Sequence, residues 1–158
     1  MKKLKILSLV LMLMVGVTLF SACSFFGGKT LSFQIMSDSM APALEVGDKV
    51  KIKEKDEYVV GDIIAYTAEE RLFLVGRVLF KFEEEGVTYF ICRGDNNQNL
   101  DHTDSNGQWE DDAEIIRNTF GSNVTKQEIT NEFGPAVIIV SLDQIEGYVY
   151  DVVKNKAN

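Results

Sequence analysis

The sequence predicts a mainly β domain behind an N-terminal membrane-targeting segment. Residues 49–53 alternate polar and apolar side chains, which is typical of a strand with one buried face. Further short apolar runs, typical of buried strands, lie at residues 62–67, 72–75, 136–140 and 147–153. The pair Glu85-Gly86 separates the run 77–82 from the run 87–92, and this arrangement predicts a β-hairpin.

One helix is predicted, from Glu110 to Phe120. Apolar side chains recur there at helical spacing, at Trp109, Ala113, Ile116 and Phe120. The surrounding stretch, residues 102–134, is polar and is interpreted as an insertion. The domain is expected at residues 33–158, with residues 23–32 as a tether and residues 1–22 as the targeting segment.

Composition and charge limit the function classes. A chain of 158 residues with 46% hydrophobic and 25% charged residues is globular rather than disordered, and its length suits one ordinary domain. The formal net charge is -8, although the first 22 residues contribute three lysines and no acid. The remainder is therefore more acidic still, which argues against binding nucleic acid through its phosphates and favours a solvated acidic surface.

The N-terminus carries the clearest local signal. Residues 6–26 contain no charged side chain and follow the basic start MKKLK. At ~1.5 Å per residue this run is long enough to cross a hydrocarbon core of about 30 Å. Lysines before the run and an acidic domain after it place the domain at the extracytoplasmic face of the cell membrane.

The targeting segment has two predicted fates. The sequence Phe20-Ser21-Ala22-Cys23 resembles a bacterial lipoprotein signal, in which small residues precede a cysteine that is lipidated and becomes the mature N-terminus. The alternative is an uncleaved, single-pass helical anchor. Either fate holds the domain at the membrane.

The two cysteines and the single histidine are too few for a usual zinc cluster, so neither a metal site nor a cofactor is expected. If Cys23 carries lipid, Cys92 has no disulfide partner within the chain. Because Cys92 lies in the apolar stretch 89–92, it is interpreted as a small core residue rather than a reactive thiol.

Ser39, in the stretch SDSMAPALEVGD, is the candidate reactive residue. A serine hydroxyl is a poor nucleophile until a nearby base takes its proton, and the oxyanion that it creates needs hydrogen-bond donors already in place. Taken alone, a serine beside a proline turn is more often a loop or capping residue.

Five sequence blocks occur in a defined order and spacing. They are SDSMAPALEVGDKV at 37–50, VGDIIAY at 60–66, VGRVLF at 75–80, FICRGDNNQNLD at 90–101 and QIEGYVY at 144–150. This arrangement resembles the type I signal peptidase family, and it is most similar to the endoplasmic-reticulum and spore-former branch, which lacks a large accessory domain.

The resemblance implies a serine peptidase site. Ser39 would be the nucleophile, with its own backbone N–H and the Ser37 hydroxyl as oxyanion donors. Asp95 and Asp101 match acidic positions that help to hold the base. The family fold is a coiled, mostly antiparallel β-sheet whose active site faces the membrane and whose groove takes the substrate as an added strand.

The sequence departs from the family at the base. The family places a lysine or histidine directly before the Arg-Val of the third block, where this chain has Gly76. Glycine cannot accept a proton, and the neighbouring Arg77 stays protonated. His102, the only histidine, is either a relocated base or a solvated loop residue. The lysines of residues 49–53 are expected on the exposed side of a strand, at Lys49, Lys51 and Lys53.

Two hypotheses follow. One is a pseudopeptidase, which uses the groove to bind extended segments of exported precursors or surface proteins without cutting them. Family members that lack the catalytic pair are linked to assembly of surface structures such as sortase-built pili, so the resemblance also implies an assembly role. The other is an active serine endopeptidase that removes signal peptides during protein secretion, with Ser39 as nucleophile and a relocated base. The oligomeric state does not follow from the sequence.

Overall fold

The structure is a computed structural model, and it describes residues 30–68, 73–96, 108–121, 123–134 and 137–156. The targeting segment and Cys23 lie outside the described residues, as do Asp101 and His102. No helix in the described ranges is long and apolar enough to span a membrane.

Within these residues the chain is mainly β, a curled antiparallel sheet that forms a half-barrel and carries two helices. Its strands are β1 (Leu31–Gln34), β2 (Lys49–Lys53), β3 (Ile63–Thr67), β4 (Phe73–Glu84), β5 (Val87–Arg93), β6 (Ile138–Ser141) and β7 (Ile145–Val153). The helices are α1 (Trp109–Thr119) and α2 (Lys126–Phe133), and a short 3-10 helix spans Leu142–Gln144. The strand order β1-β2-β7-β3-β4-β5-β6 leaves β1 and β6 at the two edges.

The predicted hairpin is confirmed as β4 and β5. Glu84 pairs with Val87, so the turn consists of Glu85 and Gly86, both at positive φ (53° and 78°). Such a two-residue turn matches the twist of an antiparallel pair. The described residues of the two apolar runs expected at 72–75 and 77–82 form one strand, because Gly76 pairs with Ile64 and does not interrupt the ladder.

The sequence did not predict β1. This strand has four residues and pairs antiparallel with β2, Leu31 opposite Ile52 and Gln34 opposite Lys49. It is too short for a period of two to stand out, and only its pairing with β2 defines it. The sheet therefore begins at Leu31, inside the predicted tether and before the predicted boundary at residue 33.

The helix predicted over 110–120 is confirmed as α1, whereas α2 was not predicted. Thr125 caps α2: the backbone N–H of Glu128 donates to the Thr125 hydroxyl, and the Thr125 N–H donates to the Glu128 carboxylate. This Thr-x-x-Glu capping box is a sequence signal for a helix start, and it was the available indication of α2.

Within the part of the chain that the structure describes, buried side chains form three clusters. Helices α1 and α2 cover one part of the sheet through Ile116, Ile129 and Phe133, which pack with Leu79 and Ile91 of β4 and β5. The stretch interpreted as an insertion thus supplies much of this core.

A second cluster contains Tyr66, Val78, Phe90 and Cys92. Cys92 is buried, and burial raises the pKa of its thiol, which confirms the interpretation as a core residue. The third cluster consists of three residues from the connection 35–48, Ile35, Met40 and Leu44, together with Val50 of β2.

Candidate functional site

Ser37 and Ser39 lie in the connection between β1 and β2, residues 35–48, which we call the serine loop. The loop is held by its apolar residues Met40 and Leu44, each only 1% exposed. The N–H of Ala41 donates to the Asp38 carbonyl, and the N–H of Leu44 donates to the Met40 carbonyl, at 2.9 Å each. Burial of Met40 and these turns therefore leave the preceding serines at the surface of the loop.

The hydroxyls of the two serines meet. Their Oγ atoms are 3.1 Å apart, and either can donate the hydrogen bond. Ser37 is exposed and Ser39 is half-buried. The structure thus brings together the predicted nucleophile position and one predicted oxyanion donor.

A cleft of about 290 Å³ opens beside Ser39. Its walls come from β1, the serine loop and the start of β4. The lining residues are Phe33, Gln34, Ile35, Met36, Ser37, Ser39, Met40, Phe73, Leu74 and Val75. Among the described residues that line the cleft, none carries a titratable side chain.

Strand edges border the cleft on both sides. β1 is the edge strand of the sheet. On the other side, residues 73–76 of β4 pair with β3, while pairing with β5 begins only at Arg77. Within the described part of the chain, the second edge of residues 73–76 is therefore not paired with a strand. Free backbone N–H and C=O groups at such edges can bind an added strand.

Gly76 is buried and directly follows Val75 in β4. A Cβ atom added at Gly76 would lie 3.4 Å from Tyr66 Cε1, Cys92 Cβ and the Arg93 carbonyl oxygen, which is ordinary van der Waals contact. Successive strand residues face opposite sides, and Val75 packs against the cluster beneath the serine loop. A side chain at position 76 would therefore start in the apolar cluster of Tyr66 and Cys92.

Asp95 binds Arg77 rather than a base in the described residues. Arg77 Nε donates to Asp95 Oδ1 at 2.8 Å, Nη2 donates to Oδ2, and Nη1 donates to the Gly61 carbonyl at 2.9 Å. Both side chains are mostly buried. The next residue, Asn96, donates its N–H to the Ser39 carbonyl at 2.8 Å. The Arg77–Asp95 ion pair therefore anchors the segment that holds the serine loop.

A second buried ion pair was not predicted from the sequence. Arg93 binds Asp112 of α1, and their side chains are 4% and 0% exposed. Burial lowers the pKa of Arg93, and the charge of Asp95 opposes that shift. Arg93 lies opposite Arg77 in the ladder, so these two carboxylates offset a pair of facing arginines. An acid in the first turn of a helix looks like a dipole partner, so no local pattern reveals this contact.

Asp48, at the end of the quoted motif, has a structural role. It is buried and accepts hydrogen bonds from the Glu45 N–H (2.9 Å), the Lys154 Nζ (2.9 Å) and the Asn155 N–H (2.8 Å). These bonds lower the pKa of Asp48 to about 2, and the bond from the Glu45 N–H contributes most to that shift. They tie the end of the serine loop to the residues that follow β7.

The β2 lysines do not line the cleft. Lys49 and Lys53 are exposed, and Lys51 is half-buried and pairs with Asp151 at 2.7 Å, an interaction that raises the Lys51 pKa. The prediction that these lysines occupy the exposed side of a strand is confirmed. They offer no base at Ser39.

Neither protein-family models nor curated protein sequences give a match to this chain. The family resemblance therefore stands on the sequence blocks quoted above. The described residues of those blocks lie mainly in the serine loop, β3, β4, the end of β5 and β7.

Proposed function

We propose that this chain is a signal-peptidase-like protein, held at the outer face of the cell membrane, that binds extended segments of exported or surface proteins without cleaving them. The observation that carries the proposal is the cleft itself. It has strand edges on both sides and the Ser37–Ser39 pair in its wall, yet no titratable side chain among its described lining residues.

Binding in this cleft would use strand addition. An extended segment can form main-chain hydrogen bonds with the edges of β1 and β4, and such bonds supply affinity without regard to sequence. Alternate side chains of the segment would contact the apolar lining, which includes Phe33, Met36 and Leu74. The cleft therefore suits the uncharged segments found near the ends of export signals.

The described residues offer no proton acceptor for cleavage at Ser39. Among the described residues, the Ser39 hydroxyl forms a hydrogen bond only with the Ser37 hydroxyl, and serine is not a base at neutral pH. Gly76 supplies none, and Arg77 remains protonated in its ion pair with Asp95. Removing the base from a serine peptidase costs several orders of magnitude in rate, even where nucleophile and oxyanion donors survive.

The alternative is an active serine endopeptidase that removes signal peptides. The 3.1 Å contact between the Ser37 and Ser39 hydroxyls favours it, because that pair serves nucleophile and oxyanion donor in the family that the sequence resembles. Its base would come from outside the described residues, where Asp101 and His102 lie.

One experiment separates the two functions. The full-length protein in detergent is mixed with a fluorescent peptide that has an apolar segment ending in small residues. Binding is followed by anisotropy, and products are followed by mass spectrometry. We expect binding without cleavage, and Ser39→Ala should bind within about twofold, because loss of one hydroxyl barely changes a strand-binding surface.

Two charge substitutions test the binding site. Met36 and Val87 are both exposed, at 81% and 40%, but only Met36 lines the cleft. Met36→Glu should weaken binding of the peptide, whereas the matched control Val87→Glu should not. Cleavage that requires Ser39 would establish the alternative, and absence of binding to the wild-type protein would overturn the proposal. In cells, Ser39→Ala should keep the proposed role in surface or pilus assembly.

A further inference from the structure

Trp109, the first residue of α1, packs against the residues that anchor the serine loop. The centroid of its indole lies 4.8 Å from Arg77 Cζ, within the range of a cation–π interaction. The indole is also so close to Gly61 that a Cβ atom there would come within 3.0 Å of it. Arg77 of β4 donates a hydrogen bond to the carbonyl of the same Gly61, which lies just before β3. Trp109 therefore covers a hydrogen bond that links β4 to the start of β3.

From Arg77 the contacts lead to the cleft. Arg77 holds both carboxylate oxygens of Asp95, and the adjacent Asn96 N–H donates to the Ser39 carbonyl. Rotation of the Arg77 side chain would release Asp95, and the backbone of Asn96 would lose its fixed position. Ser39 is thus linked through Asn96 and Asp95 to Arg77, the side chain that α1 covers.

We propose that Trp109 is a positioning residue for the serine loop, acting through Arg77 and Asp95. Its indole holds the guanidinium on one face and excludes water from the ion pair, whose attraction is stronger in a medium of lower dielectric constant. The effect on peptide binding rests on the function proposed above, whereas the effect on the loop does not.

The position of Trp109 is itself fixed. Asp112, one turn along the same helix, binds Arg93 in the buried ion pair, and Arg93 lies opposite Arg77 in the β4–β5 ladder. Helix α1 therefore meets this pair of arginines at two points, an aromatic ring on Arg77 and a carboxylate on Arg93. Under this proposal, helix α1 of the predicted insertion stabilises the residues that hold the serine loop beside the cleft.

Amide hydrogen exchange of the full-length protein tests the positioning directly. Trp109→Leu keeps an apolar side chain but removes the ring, while Trp109→Phe keeps a ring. We expect Trp109→Leu to accelerate exchange of the Asn96 N–H about tenfold, a change of the size that a partly desolvated cation–π contact supports, and to weaken peptide binding. The Gly47 N–H, which donates to Ile35 at the far end of the serine loop, should change little. Trp109→Phe should restore most of the wild-type protection.

Ile129→Val is the control for general loss of stability, because Ile129 belongs to the helix core and Val differs by one methylene. The positioning role is overturned if Ile129→Val accelerates Asn96 exchange as much as Trp109→Leu does, if Trp109→Leu accelerates all amides equally, or if it changes none. Faster Asn96 exchange in Trp109→Leu, in a protein that binds no peptide in any form, would support the positioning role and reject the proposed function.

Discussion

Under the proposed function, Ser39 and Gly76 are the two residues on which the chemistry of the cleft depends. Ser39 is half-buried and its hydroxyl lies next to a second hydroxyl, but the position in β4 that the resemblance assigns to the base, Gly76, has no side chain. The backbone does not demand glycine there, because Gly76 has no positive φ and a Cβ atom fits at 3.4 Å from its neighbours. The fold therefore does not require the absence of a side chain at position 76.

By the resemblance, replacing Gly76 with lysine or histidine should create cleavage, provided that the long side chain reaches Ser39 from the Tyr66 and Cys92 face of β4 on which it starts. A lysine there would start beside Tyr66 and Cys92, and this apolar surrounding lowers the pKa of an amine and favours the neutral, basic form. We expect little or no product from the wild-type protein in the peptide assay, and a measurable rate from Gly76→Lys or Gly76→His that Ser39→Ala abolishes.

Gly76→Met is the matched control, since it has a comparable length and no base. If both basic variants fold but neither cleaves, the path from position 76 to Ser39 differs from that in the family. If the wild-type protein cleaves in a Ser39-dependent manner, His102→Ala is the next substitution to measure.

Asp48 should make the free energy of unfolding depend on pH in the acidic range. Hydrogen bonds from Glu45, Lys154 and Asn155 lower its pKa from 3.8 to about 2, so the folded state binds the proton more weakly than the unfolded state does. The resulting stabilisation is complete above about pH 4 and is lost as the pH falls towards 2. Asp48→Asn should therefore lower the denaturation midpoint at pH 7 and reduce its change between pH 4 and pH 2.

Chemical denaturation across this pH range measures the effect. Asp143→Asn is a control, because Asp143 is an exposed residue of the short 3-10 helix, away from the serine loop. An unchanged pH profile in Asp48→Asn would show that its hydrogen bonds do not hold the loop in solution.

Helix α2 depends on its capping box. Thr125 and Glu128 satisfy each other's backbone N–H groups at the start of the helix. Thr125→Ala should destabilise the protein by about 1 kcal/mol, and Thr125→Ser should recover most of that. Thr119→Ala is a contrasting control, because the Thr119 hydroxyl only donates to the Ile115 carbonyl inside α1 and alanine is the better helix former. Equal losses in Thr125→Ala and Thr119→Ala would contradict the capping role.

The elements that sequence patterns predicted are those defined by local order. Strand β2 is defined by alternation and the β4–β5 hairpin by its turn, and both occur where they were expected. Strand β1 is defined by a partner that lies about twenty residues away in sequence, so no local pattern could predict it.

The residues of the site also fall into two groups, those that a local motif predicts and those that only contacts between distant segments define. The motif around Ser39 is readable in the sequence, because its two serines are separated by one residue. The ion pair of Arg93 with Asp112 and the contact of Trp109 with Arg77 join distant segments, and only the folded chain brings them together. The residues that hold the serine loop in place were thus harder to predict than Ser37 and Ser39, which belong to the loop.

At the scale of the whole molecule, the helices and the cleft are connected through the sheet. The face of the sheet that carries the arginines receives α1, while the serine loop and its cluster occupy the neighbouring region of the sheet. Arg77 belongs to β4, which also borders the cleft, so the same strand connects the two regions. A change in the helix layer can therefore reach Ser39 without an alteration in the lining of the cleft.

The proposed membrane tether would limit how far the sheet lies from the bilayer. Strand β1 begins at Leu31, and the chain from Cys23 to Leu31 spans at most about 28 Å when fully extended. A lipid on Cys23 would therefore keep the cleft close to the bilayer, where the apolar ends of export signals emerge. We expect intact-mass analysis of the membrane-extracted protein to find a chain that starts at lipid-modified Cys23.

Substitution of the two cysteines tests this tether. Cys23→Ala should leave the precursor unprocessed, because the modified thiol is lost. Cys92→Ala should be processed normally, because Cys92 is a buried core residue whose thiol is not accessible to a modifying enzyme. A mature chain that still begins at Met1 would establish the uncleaved helical anchor instead. The cleft would then be held near the bilayer by a transmembrane segment, and the proposed capture of emerging segments would be unaffected.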